Sequence, residues 1–89
     1  MRYTVDYDKK ANKQLRKMDP SDSRLIYAWI DEHLQGCEDP RAYGKALTGN
    51  RKGYWRYRVG DYRIIADIQD DRILILITDV GHRREIYKK

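Results

Sequence analysis

The sequence is poor in the features that staple small proteins together or tie them to membranes. It has one cysteine, Cys37, so no disulfide can form within the chain and the fold must hold without one. That usage suits a reducing compartment. No run approaches the ~20 apolar residues that cross a bilayer. The opening MRYTVDYDKK has no hydrophobic stretch of signal-peptide type. A soluble cytoplasmic protein with no membrane partner is the expectation. Repeats, low-complexity tracts and an interdomain linker are also absent. The 89 residues suit one domain, 1–89. Such a chain buries about 60–65% of its unfolded surface, enough for one core.

Acidic residues are scarce in one place in particular. The net charge is +5, but residues 41–63 carry seven Lys/Arg against Asp61 alone. Residues 64–81 reverse the balance, with Arg72 against four aspartates, and residues 82–89 set four basic residues against Glu85. Two basic blocks flanking an acidic, apolar stretch suggest a polyanionic partner, whether nucleic acid, membrane surface or acidic protein. The plainer reading is a generic solvated basic surface.

Local patterns divide the chain. Residues 2–7 alternate, with Tyr3, Val5 and Tyr7 on one face, as in a half-buried strand. From Asp8 the period becomes helical, and Ala11, Leu15 and Met18 form a narrow apolar stripe. In DPSD, Asp19 fits an N-cap and Pro20 the first helical position. That helix is expected to bury Leu25, Ile26, Trp29, Ile30 and Leu34 and to end near Gly36. Residues 37–53 are rich in turn formers and read as a long connection. Strands are expected at 54–59, 62–69 and 72–79, with Gly60-Asp61 and Asp70-Asp71 as hairpin loops. The order β-α-α-β-β-β predicts an α+β fold: a mostly antiparallel sheet with both helices on one face.

A turn at Gly60-Asp61 sets Arg58 opposite Arg63 and Arg56 opposite Ile65. Trp55, Tyr57, Val59, Tyr62, Ile64, Ala66 and Ile68 then share the face under the helices, and the three arginines share the other. Continuing through Asp70-Asp71 puts Thr78 beside Arg63 and Leu76 beside Ile65, next to an apolar strip of Ile65, Leu74 and Leu76. A like-charge cross-strand pair is unfavourable by a few tenths to about 1 kcal/mol. Folding alone gives no reason for it, whereas a phosphate between two guanidiniums does. The alternative is neutralisation by Asp67 or Glu85. The terminal DVGHRREIYKK adds His82, Arg83, Arg84 and Tyr87, and Gly81 is expected to end or turn the strand and return these groups to the same edge. Cations beside an aromatic ring suit single-stranded RNA.

The stretches DPR…GKALTGNRKGYWRYRVGDYRII and DVGHRREIY together resemble the RelE-type toxins of the RelE/ParE superfamily, bacterial or archaeal type II toxin–antitoxin proteins. The resemblance spans the whole chain. It implies an endoribonuclease that enters the ribosomal A site and cuts mRNA without metal or other cofactor: the 2′-hydroxyl attacks the adjacent phosphate. By resemblance, Arg56, Arg58 and Arg63 surround that phosphate, Arg83 assists the leaving 5′-oxygen, and Tyr87 stacks on or orients the nucleotide. Arg51, Lys52, Arg84 and Lys88 are expected to hold RNA. Some family members have lysines at the positions of Arg56 and Arg58. Arginine does not deprotonate, so these two are expected to act as electrostatic clamps, with His82 the candidate proton acceptor. The implied partners are a RelB-like antitoxin, the ribosome and mRNA, with operator DNA for the toxin–antitoxin complex. The alternatives are a ParE-like gyrase inhibitor on the same fold, or a non-catalytic RNA- or ribosome-binding module.

Overall fold

The computed structural model describes residues 1–82. Strand β1 (Thr4–Tyr7) leads through Asp8 into α1 (Lys9–Lys17). The Asp8 carboxylate caps the helix by accepting from the Ala11 N–H at 2.9 Å. Helix α2 (Pro20–His33) is capped by Asp19 through the Ser21 N–H, with Pro20 where its missing donor does no harm. Four strands follow: β2 (Lys45–Ala46), β3 (Trp55–Val59), β4 (Tyr62–Gln69) and β5 (Leu74–His82). They form one five-stranded sheet in the order β1-β5-β4-β3-β2, antiparallel except for the parallel β1–β5 join. The expected α+β fold is present, with the two helices packed against the sheet.

The core lies between helices and sheet. Ala11 and Leu15 of α1, and Ile26, Ile30 and Leu34 along α2, meet Tyr57, Ile64, Ala66, Ile75, Ile77 and Val80 from the strands. Each aliphatic side chain buried there contributes roughly 1.5–3 kcal/mol before entropy is counted. Leu25 departs from expectation and is 53% exposed. The i, i+4, i+8 row of Ile26, Ile30 and Leu34 faces the sheet, and Leu25 lies 100° away on the helical wheel, outside that row. Among the described residues no helix is long and apolar enough to cross a membrane.

The first hairpin has the expected register: Trp55↔Ala66, Arg56↔Ile65, Tyr57↔Ile64, Arg58↔Arg63 and Val59↔Tyr62. Gly60 takes φ 59°, which a tight turn between twisted strands requires. The second connection does not behave as a two-residue loop. Asp70–Arg72 forms a 3₁₀ turn and Ile73 follows at φ 52°, an unfavourable conformation for a β-branched residue. Strand β5 therefore begins at Leu74, paired with Gln69. A bulge then intervenes: Ala66 pairs with Ile77 but Ile65 with Asp79, leaving Thr78 as the extra residue. The Thr78 hydroxyl donates to the Ile65 carbonyl at 3.3 Å.

These two features correct the sequence reading. Gly81, not Thr78, lies beside Arg63, and Leu76 lies beside Asp67 rather than Ile65. Gly81 does not end the strand but continues it to His82. Of the apolar strip, Ile65 is only 1% exposed, whereas Leu74 and Leu76 stay partly exposed. The 37–53 connection also contributes β2, two residues long, joined to β3 by Lys45↔Arg56 and Ala46↔Trp55.

Candidate functional site

The face of the sheet away from the helices holds a cleft of about 390 Å³ lined by Ala42, Tyr43, Gly44, Lys45, Arg56, Arg58 and Arg63. That volume is within the range of small-ligand clefts, roughly 300–1,000 Å³. Its floor follows from register. Lys45, Arg56, Ile65 and Asp79 form one cross-strand row, and Arg58, Arg63 and Gly81 form the next. Three guanidiniums and an ammonium thus converge where the rows meet the β2 loop. Arg63 is 5% exposed, and glycine as its β5 neighbour puts no side chain beside it. Arg58 is exposed and enters no salt bridge among the described residues. Asp67 does not neutralise it: that carboxylate accepts from Gln69 Nε2 at 2.9 Å.

The wall of the cleft depends on a close approach of backbones. A Cβ on Gly44 would collide with the Arg56 carbonyl oxygen and come within 2.8 Å of Trp55 Nε1. Only glycine lets this loop lie flat on β3. The Tyr57 hydroxyl, from the core, donates to the Pro40 carbonyl at 2.7 Å and ties down the start of the same loop. Arg41 fixes its middle, donating twice to Asp70 at 3.1 and 3.0 Å, while the Tyr3 hydroxyl donates to that carboxylate at 2.6 Å. Arg41 and Tyr3 together hold the Asp70 carboxyl below its ordinary value.

Asp79, in the same cross-strand row as Arg56 and Ile65, is 6% exposed and is not among the residues that line the cleft. Asp8 N–H donates to the Ile77 carbonyl, so α1 starts beside it. Gln14 Nε2 donates to Asp79 at 2.7 Å, Lys10 Nζ at 3.1 Å, and Arg51 reaches it at 3.5 Å. Burial pushes this carboxyl up, but the bonds from Gln14 and Lys10 and the charges of Lys10 and Arg51 outweigh it and leave it lowered. The acidic stretch therefore neutralises part of the basic block, since Arg41 and Arg51 both meet carboxylates from it.

The residues singled out from sequence fall into three groups. Arg56, Arg58 and Arg63 come together in the cleft. Arg51, bound to Asp79, and Lys52, which closes the 3₁₀ turn Gly49–Arg51, stand outside its lining. His82 also stands apart: it pairs with Tyr62, their rings 5.8 Å apart, and alternation past the bulge turns it to the helix side with Val80. It is therefore not brought to the cleft as a proton acceptor. Arg83, Arg84, Tyr87 and Lys88 lie outside the described residues. Sequence reasoning missed Lys45 and Tyr43; the signal was the Tyr43-Gly44-Lys45 step inside a turn-rich segment. Burial and Asp39 push the Cys37 thiol up, away from the thiolate form.

A basic cleft on one face of a small α+β sheet has the charge that suits a polyanion. Comparison with known proteins makes this specific. The family model for the ParE toxin of type II toxin–antitoxin systems matches residues 5–87, and the chain belongs to this family, within the RelE/ParE superfamily. It is similar to the toxin RelG of Mycobacterium tuberculosis, 32% identical over 91 residues that cover 100% of both chains. It is also similar to the mRNA interferase toxin RelE of Escherichia coli, 27% identical over 92 residues covering 100% of this chain and 94% of that one. Among solved structures, a chain of the M. tuberculosis toxin–antitoxin complex RelBE2 superposes with a TM-score of 0.84 at 28% identity, covering 93% of this chain and 100% of that one.

Proposed function

We propose that this toxin is an endoribonuclease that cuts mRNA in the ribosomal A site and thereby stops translation. The observation that carries this reading is the Arg58–Arg63 pair, opposed in register and lining one cleft with Arg56. Relatives named mRNA interferases support it. In the proposed reaction the ribose 2′-oxygen gives up its proton to water and bonds to the adjacent phosphorus. The bond to the 5′-oxygen then breaks and that oxygen takes a proton from water, leaving a 2′,3′-cyclic phosphate and a 5′-hydroxyl. The pentacoordinate intermediate carries extra negative charge, and guanidiniums already aimed at it stabilise it more than the ground state. One such donor is worth ~3–4 kcal/mol by analogy with oxyanion holes.

Arg56 and Arg58 serve as clamps and Arg63 as the buried anchor of the phosphate. Arg83 assists the leaving oxygen and Tyr87 orients the nucleotide, with Arg51, Lys52, Arg84 and Lys88 along the RNA backbone. The activity resides in a single cytoplasmic domain, 1–89, held inactive by a small antitoxin. Toxin–antitoxin complexes among the structural relatives support that partner, and the pair would bind operator DNA. The test adds purified protein to translating ribosomes and maps new mRNA ends: codon-phased 5′-hydroxyl ends are expected. A second reading, inhibition of DNA gyrase, is favoured by the ParE description of the matching family model. Blocked supercoiling with intact mRNA would put that reading in place of the first, and neither effect would leave a non-catalytic binding module.

A further inference from the structure

Helix α1 carries its charge on one side. Lys9, Lys10, Lys13, Arg16 and Lys17 fall within an arc of about 120° at ~3.6 residues per turn. Ala11 and Leu15, both buried, occupy the opposite side. All five cations are exposed, and the helix contains no acidic residue. Lys9, Lys13, Arg16 and Lys17 enter no salt bridge among the described residues. Folding alone argues against this arrangement. Lys9 and Lys10 sit in the first turn, where the helix dipole disfavours cations, and Lys9–Lys13 and Lys13–Lys17 are like-charge i, i+4 pairs. The helix also lies at an edge of the sheet. Strand β1 stops at Tyr7, opposite Ile77. Beyond it, Gln14 Oε1 accepts from the Val80 N–H at 2.7 Å and Lys10 Nζ meets Asp79 Oδ2 at 3.1 Å. Arg51 reaches the same oxygen at 3.5 Å. Val80 belongs to the core and Asp79 alternates to the other face, so the Lys10 side of α1 wraps the β5 edge.

A straight row of exposed cations without counter-charge fits a polyanion. The apolar residues of α1 are buried in the core, so the helix has no face left to enter a bilayer. It is a rigid rod about 13 Å long, and a duplex presents its phosphates in an equally fixed row. Neither side then loses much freedom on contact, whereas a single strand would first have to be ordered. We propose that α1 binds the sugar-phosphate backbone of duplex RNA through Lys9, Lys13, Arg16 and Lys17, as a second surface separate from the arginine cleft. The choice of RNA rests on the RNA-cleaving reading; the surface itself does not. Cations on phosphates carry no base information, so this surface holds and orients the nucleic acid without selecting sequence.

The test is equilibrium binding, across a salt series, of a blunt RNA duplex of roughly 16 base pairs, whose paired bases leave no free strand for the cleft. The triple variant Lys9→Gln, Lys13→Gln, Lys17→Gln keeps Lys10 on Asp79. It should bind at least about tenfold more weakly at low salt and flatten the slope of log K against log salt by about 2–3, near one per lysine removed. Arginine at the same three positions should restore wild-type binding. Arg2→Gln, Arg24→Gln, Arg72→Gln removes equal charge from exposed positions off this helix and should lose far less. Unfolding midpoints show that each variant is folded. The proposal is overturned if the glutamine variant keeps wild-type affinity and slope, or if the off-helix variant loses as much. It is also overturned if a DNA duplex of the same sequence, or a polyglutamate chain, binds more tightly than the RNA. Cleavage is judged separately by the mRNA-end map. Codon-phased ends with an unaffected glutamine variant would keep the cleaving reading and remove this surface. Duplex binding as expected without such ends would keep the surface and remove that reading.

Discussion

Gln14 joins α1 to β5 twice over: its Nε2 donates to Asp79 Oδ1 at 2.7 Å, and its Oε1 accepts from the Val80 N–H at 2.7 Å. Both bonds fall just past the bulge at Thr78, where the ladder to β4 is interrupted. Gln14→Ala strips a part-buried carboxylate and a backbone donor of a partner at once. A loss of about 1–3 kcal/mol is expected, because desolvated groups left unsatisfied dominate such substitutions. Urea unfolding checks it, with a lower midpoint and an unchanged slope.

The same carboxylate makes stability depend on pH. Asp79 is held below its ordinary value of 3.8 in the folded protein, so the unfolded chain binds more protons there as acid is added. Its contribution is complete above about pH 5 and is lost as pH falls through its folded pKa. Asp79→Asn should therefore be less stable than wild type near neutrality, and the gap should close as pH falls below about 4. Asp70, also lowered, titrates in both proteins and cancels in the difference. Unfolding midpoints of the two proteins across that range decide the matter. A gap that stays constant would show that Asp79 acts through shape rather than charge.

Arg58 separates folding from function. It is exposed and faces a like charge across the hairpin, so Arg58→Thr should raise stability by a few tenths to about 1 kcal/mol. Arg58→Ala should lower mRNA cleavage at least about tenfold, since one aimed donor is removed from the developing charge. Arg83→Ala, beyond the described residues, is expected to lose as much. Thermal melts and cleavage rates on the same preparations test both halves. A variant at Arg58 that is more stable and fully active would leave the like-charge pair without a purpose.

The legible parts of the molecule were those governed by short-range rules. Asp19-Pro20 announced a helix start, and Gly60-Asp61 fixed the β3–β4 register residue by residue, which placed the three arginines on one face. What was illegible depended on tertiary contact. Ile73 sits at a positive φ that its type disfavours, so no turn rule marks it. The bulge at Thr78 has no local signature, and together these two shifted every β5 neighbour of β4. Strand β2, two residues long, exists because Gly44 lets its loop touch β3, and Gly44 within a turn-rich segment was the one local sign that Lys45 and Tyr43 join the cleft lining. His82 reaches the arginine edge only if Gly81 ends or turns the strand, whereas the strand runs on and the ring meets Tyr62.

Among the described residues the first strand, β1, and the fifth, β5, are neighbours, and this bears on when the sheet can close. β1 pairs with β5, and Tyr3 bonds Asp70 across 67 positions of chain. A nascent chain leaving the ribosome amino end first holds Tyr3, Val5 and Tyr7 without their strand partner until β5 has emerged. Long-range joins of this kind also slow folding, because loop closure must precede any gain from the contact. Closure of the sheet at its β1 edge thus waits for β5, whereas the residues that line the arginine cleft all come from the stretch that follows α2 and ends in β4.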